Sequence, residues 1–216
     1  TQMERGIEYH ERLLKRFPTL SSMDESSVDD VLLLWQGAGY YSRARRLHAL
    51  SIEVVEAHGG VLPKTYEELL KLPGIGPYTA AAVASIAYSE PVACVDGNIR
   101  RVMARQSNQE KPSMKDVQRF ADKHLVIDAP SEWNQAMMEL GALLCKPRNP
   151  ICDQCPVAET CSGRSRPHEL PRPKTTKKTT VEYNCIVRID ENGAPELQQR
   201  PQTGLFAGLW LSLIHI

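Results

Sequence analysis

Apolar residues recur at the spacing of amphipathic helices through most of the chain. Residues 3–17 carry their apolar side chains, such as Leu13 and Phe17, on one face. Two Ser-x-x-Asp sequences, at Ser27 and Ser113, have the form of capping boxes that open further helices. Before Cys161 no stretch has the alternation of a strand, so this part is predicted to be an all-α bundle. The predicted helices cover residues 3–17, 27–35, 43–58, 67–72, 78–88, 99–105, 113–125 and 133–144.

The pattern changes after the last helix. Residues 164–180 are rich in Pro, Arg, Lys and Thr without periodicity, which predicts a basic linker that either is simply solvated or contacts DNA. From Val181 apolar and polar residues alternate as in a strand, residues 190–193 have the form of a hairpin turn, and a second strand is predicted from Leu197 to Arg200. We therefore divide the chain into a helical domain (1–163), the linker (164–180) and the start of a β-containing domain (181–216).

Composition excludes little on its own. The 216 residues carry 26 Lys and Arg against 26 Asp and Glu, so no overall field indicates a nucleic acid. Local patches matter more, and Arg43, Arg45 and Arg46 form one. No run has the length and apolarity of a membrane span, so neither a signal peptide nor a membrane partner is expected. The chain begins at Thr1 inside a predicted helix, and we expect its true N-terminus to be missing.

A Gly-rich sequence, Leu72-Pro73-Gly74-Ile75-Gly76-Pro77-Tyr78-Thr79, separates two predicted helices. Gly74 and Gly76 give the backbone the freedom that a tight turn requires, and Pro77 suits the first position of a helix. Such a turn leaves amides from Gly76 onward without partners at a helix N-terminus, which makes a seat for a phosphate. Gly-x-Gly turns are also common between helices that bind nothing.

A lone carboxylate, Asp96, stands at a loop-to-helix junction a short way downstream, in Val95-Asp96-Gly97-Asn98, and a basic helix with Arg101 and Arg105 follows. Taken alone, Asp96 is readily explained as a helix N-cap. Together with the phosphate seat it indicates chemistry on a nucleic-acid backbone or sugar.

Four of the six cysteines fall within residues 145–161, as Cys145-x6-Cys152-x2-Cys155-x5-Cys161. Disulfides are disfavoured because nothing indicates secretion. Zinc sites tend to use two separated pairs of ligands, whereas one x2 pair flanked by longer spacers favours a [4Fe–4S] cluster, so iron–sulfur is preferred over zinc. Cys94 and Cys185 lie outside this pattern and are expected to be buried apolar residues.

The Gly-rich turn, the Asp96 loop and the cysteine loop, in this order, resemble the helix-hairpin-helix base-excision glycosylases related to endonuclease III, over residues 1 to about 161. The stretches 34–45, 133–142 and 200–210 are similar to the adenine DNA glycosylase branch. The resemblance implies an all-α helix-hairpin-helix glycosylase fold with a [4Fe–4S] loop, followed by the start of a Nudix-like domain. It also implies a monomer that acts on double-stranded DNA containing adenine paired with 8-oxoguanine or guanine.

Bifunctional relatives carry a lysine nucleophile where this chain has Tyr78, so the implied reaction is hydrolysis without strand cleavage. Asp96 matches the family's sugar-side carboxylate, and Tyr78 and Asn98 match residues that orient groups in the pocket. The acid that protonates adenine is, in the family, a Glu just upstream of Thr1. We therefore expect the chain alone to excise adenine too slowly to be useful.

The resemblance also implies a set of DNA contacts. Tyr40 matches the wedge residue beside the damaged guanine, and the amides near Gly74 and Gly76 match the grip on the phosphate next to the flipped nucleotide. Arg148, in the cluster loop, is expected to present a cation to a phosphate. The full set of predicted DNA-binding residues is Tyr40, Arg43, Leu72, Gly74, Gly76 and Arg148.

Residues 211–216 depart from the family pattern after Trp210, and no structure is expected there. Three alternatives stay open: a thymine glycosylase acting on G:T mismatches, a DNA-binding iron–sulfur protein without catalysis, and a zinc-stapled structural module. Family members act in the bacterial cytoplasm, or in the nucleus and mitochondria of eukaryotes, and one of these compartments is expected.

Overall fold

The computed structural model describes residues 3–173, 180, 184–185, 188–201, 207–208, 210–212 and 214–215. These belong to two compact units, Thr1–Pro173 and Lys174–Ile216. The described part of the first unit is helical, as predicted, and contains no strand. Its helices are α1 Met3–Arg16, α2 Leu20–Asp24, α3 Val28–Leu34, α4 Ser42–His58, α5 Tyr66–Leu69, α6 Pro77–Tyr88, α7 Gly97–Gln106, α8 Met114–His124 and α9 Pro130–Glu139, followed by a π-helical turn (Leu140–Leu144) and 3-10 turns at Cys152–Gln154 and Pro167–Glu169.

Capping residues set most helix starts. Ser27 and Ser113 form the two predicted capping boxes, at the starts of α3 and α8. A third box, between Thr19 and Ser22, opens α2, which the apolar pattern did not predict because the helix is only five residues long. Here the Ser22 amide donates to Thr19 Oγ1 at 3.1 Å and the Thr19 amide donates to Ser22 Oγ at 3.2 Å.

Helix α6 lies at the centre of the first unit, packed against α5 on one side and α9 on the other. Its buried alanines, Ala80, Ala81 and Ala84, have no side chain beyond Cβ, so the neighbouring elements approach closely. Val54 and Leu69 pack against Ala80 and Ala84 in one apolar cluster. Helix α7 packs on α8, α9 and the π-helical turn. This arrangement brings the start of α6, the start of α7 and the end of α9 into one region.

Residues 162–173 fold back onto α7. The Gly163 amide donates to the Arg105 carbonyl at 2.8 Å, and Leu170 is only 1% exposed. Residues 164–173, which the sequence placed in a basic linker, are therefore packed because Leu170 supplies an apolar anchor. The remaining linker residues 174–179 lie outside the described residues.

The described residues of the second unit form two short antiparallel pairs of strands. β2 (Leu197–Gln199) pairs with β3 (Trp210–Ser212), and β1 (Asn184–Cys185) pairs with β4 (Ile214–His215). The predicted turn at 190–193 is closed by Asp190, whose side chain accepts from the amides of Asn192 and Ala194. The strand predicted from Leu197 is confirmed as β2, and strands also occupy part of the tail where none was expected. Most of the predicted strand from Val181 lies outside the described residues, and the Nudix-like assignment stays a prediction.

Within the part of the chain that the structure describes, every helix is too short or too polar to cross a bilayer.

Candidate active site and iron–sulfur centre

The Gly-rich turn between α5 and α6 is tight and rests on α4. Gly74 has φ +79°, and a Cβ at this position would lie 2.6 Å from Arg46 Cβ. Only glycine adopts this conformation without strain and leaves room for the aliphatic stem of Arg46. The turn therefore packs directly on the stem of Arg46, a member of the predicted basic patch.

The start of α6 presents unbonded amides. Gly76 is the N-cap and has no side chain to cap the helix, and Pro77 follows at the first helical position. The first internal bond runs from the Ala80 amide to the Gly76 carbonyl. Within the described residues no acceptor bonds to the amides of Gly76, Tyr78 and Thr79. Three donors and the positive end of a twelve-residue helix suit an anion such as a phosphate.

Asp96 caps α7 and is held at both carboxylate oxygens. Oδ1 accepts from the Ile99 amide at 2.8 Å, and Oδ2 accepts from Asn98 Nδ2 at 2.9 Å. Structural capping and catalysis do not compete here, because a carboxylate has about four acceptor positions and two are used. Asp96 is half-buried, and its two hydrogen bonds fix the position of its carboxylate at the helix N-terminus.

Tyr78 lies at the start of α6, close enough to Asp96 to sense its charge. Burial raises the pKa of the Tyr78 phenol, and the negative charge of Asp96 raises it further. The phenol is therefore neutral at physiological pH, and its hydroxyl donates to Met138 Sδ at 3.2 Å. A neutral phenol beside a fixed carboxylate cannot form an imine with a sugar, in contrast to a lysine amine.

A chain of hydrogen bonds links Asp96 to the first cysteine of the cysteine loop. Asn98 donates to Asp96 and accepts from Arg101 Nη2 at 2.9 Å. Arg101 also donates to the carbonyl of Cys145 at 2.7 Å and to that of Gly141 at 2.6 Å. The sequence suggested only a basic helix here; the structure turns Arg101 away from solvent, towards the cysteine loop.

Arg105, one turn further along α7, is 3% exposed, and no carboxylate of the described residues bonds to it. Its guanidinium donates to the Cys145 sulfur at 3.3 Å. Its other acceptors are backbone oxygens on both sides of the cysteine loop, namely the carbonyls of Lys146, Pro147, Pro167 and Leu170. A buried cation that faces a cysteine sulfur suits a loop that holds an anionic centre.

The four cysteines of the loop line one shared cavity of about 30 Å³, walled by apolar side chains including Val102 and Leu144. Among the described residues no three His, Cys, Asp or Glu side chains form a site for a single metal ion. Four thiols around one apolar-walled space, with Arg105 beside them, fit a cluster held by thiolates. Cys94 lies elsewhere and is fully buried, as predicted; the side chain of Cys185 lies outside the described residues.

The loop after α3 displays an aromatic residue to solvent. Tyr40 is 82% exposed and has φ +50°, a conformation that most residues avoid. Arg43 places its guanidinium over the rings of Trp35 and Tyr40, at 5.2 and 5.7 Å from their centroids. The Trp35 indole in turn donates to the Gly39 carbonyl at 3.0 Å. These contacts hold the loop in place and leave the exposed ring of Tyr40 accessible to a partner.

One of the predicted DNA contacts has its side chain turned inward. The Leu72 side chain is 4% exposed because it packs with Val54 and Leu69 under the turn, so only the backbone of this residue is left to contact DNA. Arg148 is exposed, as a phosphate contact requires. Sequence reasoning missed the part played by Arg101 and Arg105; their spacing of four residues puts them on one helix face, which was the available signal.

The family comparisons match two segments. Residues 1–125 match the profile described as HhH-GPD superfamily base excision DNA repair protein. Residues 145–161 match the iron–sulfur binding domain of endonuclease III. This second match spans Cys145, Cys152, Cys155 and Cys161, and it decides for a [4Fe–4S] cluster over the zinc that the spacing had left open.

The chain is similar to curated proteins named adenine DNA glycosylase. It is 35% identical to that of Homo sapiens and 33% to that of Rattus norvegicus, over 97% of the chain and 48% and 51% of the relatives. Identity to that of Schizosaccharomyces pombe is 33%, over 88% of the chain and 43% of the relative. The chain thus spans about half the length of these relatives.

Solved structures share the fold. A thermostable thymine-DNA glycosylase superposes with a TM-score of 0.68 at 25% identity, covering 74% of this chain and 76% of the other. A trapped endonuclease III–DNA covalent intermediate gives 0.67 at 25% identity, covering 74% and 76%. A non-covalent endonuclease III–DNA complex gives the same score and identity, covering 74% and 75%.

Proposed function

The chain belongs to the HhH-GPD superfamily of base excision DNA repair proteins, and we propose that it is the catalytic region of an adenine DNA glycosylase. The substrate is double-stranded DNA in which adenine is paired with 8-oxoguanine or guanine. The reaction is hydrolysis of the N-glycosidic bond without strand cleavage. The similarity to adenine DNA glycosylases over 97% of the chain supports this choice of base.

The observation that carries the proposal is the fixed carboxylate of Asp96 beside the neutral phenol of Tyr78. As the bond from C1′ to adenine breaks, the sugar gains positive charge and resembles an oxocarbenium ion. A carboxylate held in place stabilises that charge at no cost of reorganisation. Asn98 keeps the second carboxylate oxygen in position. Water then adds to C1′, and adenine leaves with the bonding electron pair and a proton.

DNA binding would use surfaces on three elements. The amides at the start of α6 would hold a phosphate beside the flipped nucleotide, which costs a few kcal/mol to extrude. Tyr40 would fill the space in the base stack, and Arg148 would contact a phosphate from the cysteine loop. The cluster would anchor that loop and take no part in the chemistry of the base. We propose a monomer, acting in the bacterial cytoplasm or in the nucleus and mitochondria of a eukaryote.

The test is single-turnover release of adenine from a duplex with adenine opposite 8-oxoguanine. It is measured on the chain and on a version extended upstream in its reading frame. Asp96→Asn keeps the cap, because an Asn side chain also accepts from the Ile99 amide. It removes the charge and, since an amide nitrogen cannot accept, the bond from Asn98 Nδ2. We expect release to fall by about 10²–10³-fold while duplex affinity stays within threefold. Asp122→Asn, the same change at an exposed site on α8, is the control.

Thymine release from G:T mismatches is the second candidate, because the fold superposes on that of a thymine-DNA glycosylase with a TM-score of 0.68. The same assay with thymine opposite guanine separates the two. Release of thymine alone would reject the adenine assignment. Tight duplex binding without release of either base would instead leave a DNA-binding iron–sulfur protein.

A further inference from the structure

Asn134, on α9, is the only fully buried amide side chain among the described residues, and it forms three hydrogen bonds through its two N–H groups and its oxygen. Its Nδ2 donates to Ser85 Oγ at 2.9 Å and to the Val92 carbonyl at 2.9 Å. Its Oδ1 accepts from the Cys94 amide at 2.8 Å. Asn134 thus links α9 to α6 and to two positions, Val92 and Cys94, of the segment that leads to Asp96.

The orientation of this amide is fixed by its neighbours. A backbone carbonyl such as that of Val92 can only accept, and an amide such as that of Cys94 can only donate. The Ser85 hydroxyl gives its proton to the Ala81 carbonyl at 2.7 Å, so its oxygen accepts from Asn134. No other side chain of this size offers two donors and one acceptor in this arrangement. Buried polar groups left without these partners are costly.

The segment held by Asn134 has no regular structure of its own. Residues 89–96 connect α6 to α7 without belonging to a helix or strand, so no ladder of backbone bonds fixes them. Cys94, which Asn134 holds, precedes Asp96 by two residues. One turn after Asn134 on α9, Met138 accepts the Tyr78 hydroxyl. Asn134 and Met138, one turn apart on α9, therefore hold the backbone before Asp96 and the hydroxyl of Tyr78. The packing of α9 on α6 thus positions both groups of the proposed site.

We propose that Asn134 is a positioning residue, which holds the backbone that carries Asp96 and so places the carboxylate under the sugar. This inference rests on the proposed glycosylase function for its consequence, but its structural part can be tested separately. Loss of the three bonds frees residues 92–94 while the helices stay in place. Asp96 is then held less closely under the sugar, and its attraction for a positive charge weakens because that attraction falls with distance. The site therefore prefers a positively charged sugar over a neutral one by a smaller factor.

The functional test compares two abasic-site duplexes. One carries a pyrrolidine, whose cationic nitrogen mimics the charged sugar, and the other a neutral tetrahydrofuran. We expect the unaltered protein to prefer pyrrolidine, and Asn134→Ser to reduce that preference about tenfold, equivalent to about 1.4 kcal/mol. Affinity for the tetrahydrofuran duplex should stay unchanged. Equal weakening of both affinities, or an unchanged preference, would overturn the inference. Asn134→Leu repeats the measurement with a side chain too apolar to recruit water.

The structural test measures amide hydrogen exchange and needs no DNA. Asn134→Ser should speed exchange about tenfold or more at Cys94 and at Ile99, whose amide bonds to Asp96, and leave the interior of α6 unchanged. Gln135→Ser, the same new side chain at the exposed neighbouring position of α9, is the matched control and should alter exchange at neither amide. Unchanged exchange at Ile99 would overturn the inference. Absence of any pyrrolidine preference in the unaltered protein, with exchange altered as expected, would instead count against the proposed function.

Discussion

A methyl group added at Gly141 would press on the residue that steadies the carboxylate. Gly141 lies in the π-helical turn, where a Cβ would stand 2.5 Å from Asn98 Cβ and 3.2 Å from Asn98 Cα. Because carbon atoms in contact prefer about 3.5–4.0 Å, the two groups must separate by about 1 Å. The contact includes backbone, so Asn98 cannot escape by rotating its side chain alone. The first turn of α7 must move, and the Asp96 cap moves with it.

The expected effect of Gly141→Ala follows from that shift. Overpacking of this kind costs about 1–3 kcal/mol, and for a chain of this size that lowers Tm by about 2–12 °C. A displacement of about 1 Å in a catalytic group costs about 10²-fold in rate. We therefore expect single-turnover adenine release to fall about 100-fold. Duplex affinity should stay within threefold, because the phosphate seat lies on α6.

The assay combines thermal unfolding, duplex binding and single-turnover release on the same preparations of the version extended upstream, because the chain alone is expected to release adenine too slowly to be useful. Gly6→Ala is the matched control, since a Cβ there meets nothing within 4 Å and the residue lies in helix α1. Alanine in an open helical position stabilises by about 0.5–1 kcal/mol, so this variant should melt slightly higher and react normally. An unchanged release rate in folded Gly141→Ala would refute the claim that the Asn98 contact places Asp96.

Three further outcomes are expected. Arg105→Leu leaves four backbone carbonyls and the Cys145 sulfur without their donor, at about 1–3 kcal/mol for each buried group. Iron and sulfide content should therefore drop, while the exposed Arg119→Leu keeps both. Burial and the nearby carboxylate raise the pKa of Tyr78 above its ordinary 10.0, so the stabilisation from its neutral form is complete below pH 10 and is lost as pH rises through the higher value. The difference in phenolate absorbance between wild type and Tyr78→Phe should have its midpoint above pH 10. Arg148→Ala should lower duplex affinity and reduce the salt slope by about one; an unchanged slope would remove this residue from the interface.

Local sequence signals predicted most of the helices because capping and periodicity act over a few residues. The box at Ser113 and the Gly74 turn needed no knowledge of the rest of the fold. The Asp96 cap was also predictable, since its partner Ile99 is three residues away. The cysteine spacing pointed to iron over zinc for a similar reason, because the ligands share one short loop.

The remaining features depend on contacts between distant residues. The Cys94 amide donates to Asn134, which is 40 positions away, and the sequence around either residue gives no signal of this hydrogen bond. Leu72 looked like part of a binding turn, but its burial depends on Val54 and Leu69, which come from two other helices. Leu170 likewise looked like part of a linker until the groove beside α7 was known. Long-range packing decides which side of an element faces the ligand, and a one-dimensional pattern does not contain that choice.

The π-helical turn at Leu140–Leu144 has a consequence for insertions and deletions in this chain. Such a turn holds one residue more than the α-helical path it replaces, and here it lies between α9 and Cys145. Removing one residue inside the turn would return the segment to the α-helical path and leave Cys145 in place. Removing one residue from α9, ahead of the turn, would instead rotate all that follows by about 100°. The turn is therefore the position at which this part of the chain accepts a change of length without turning Cys145 away from the other three cysteines.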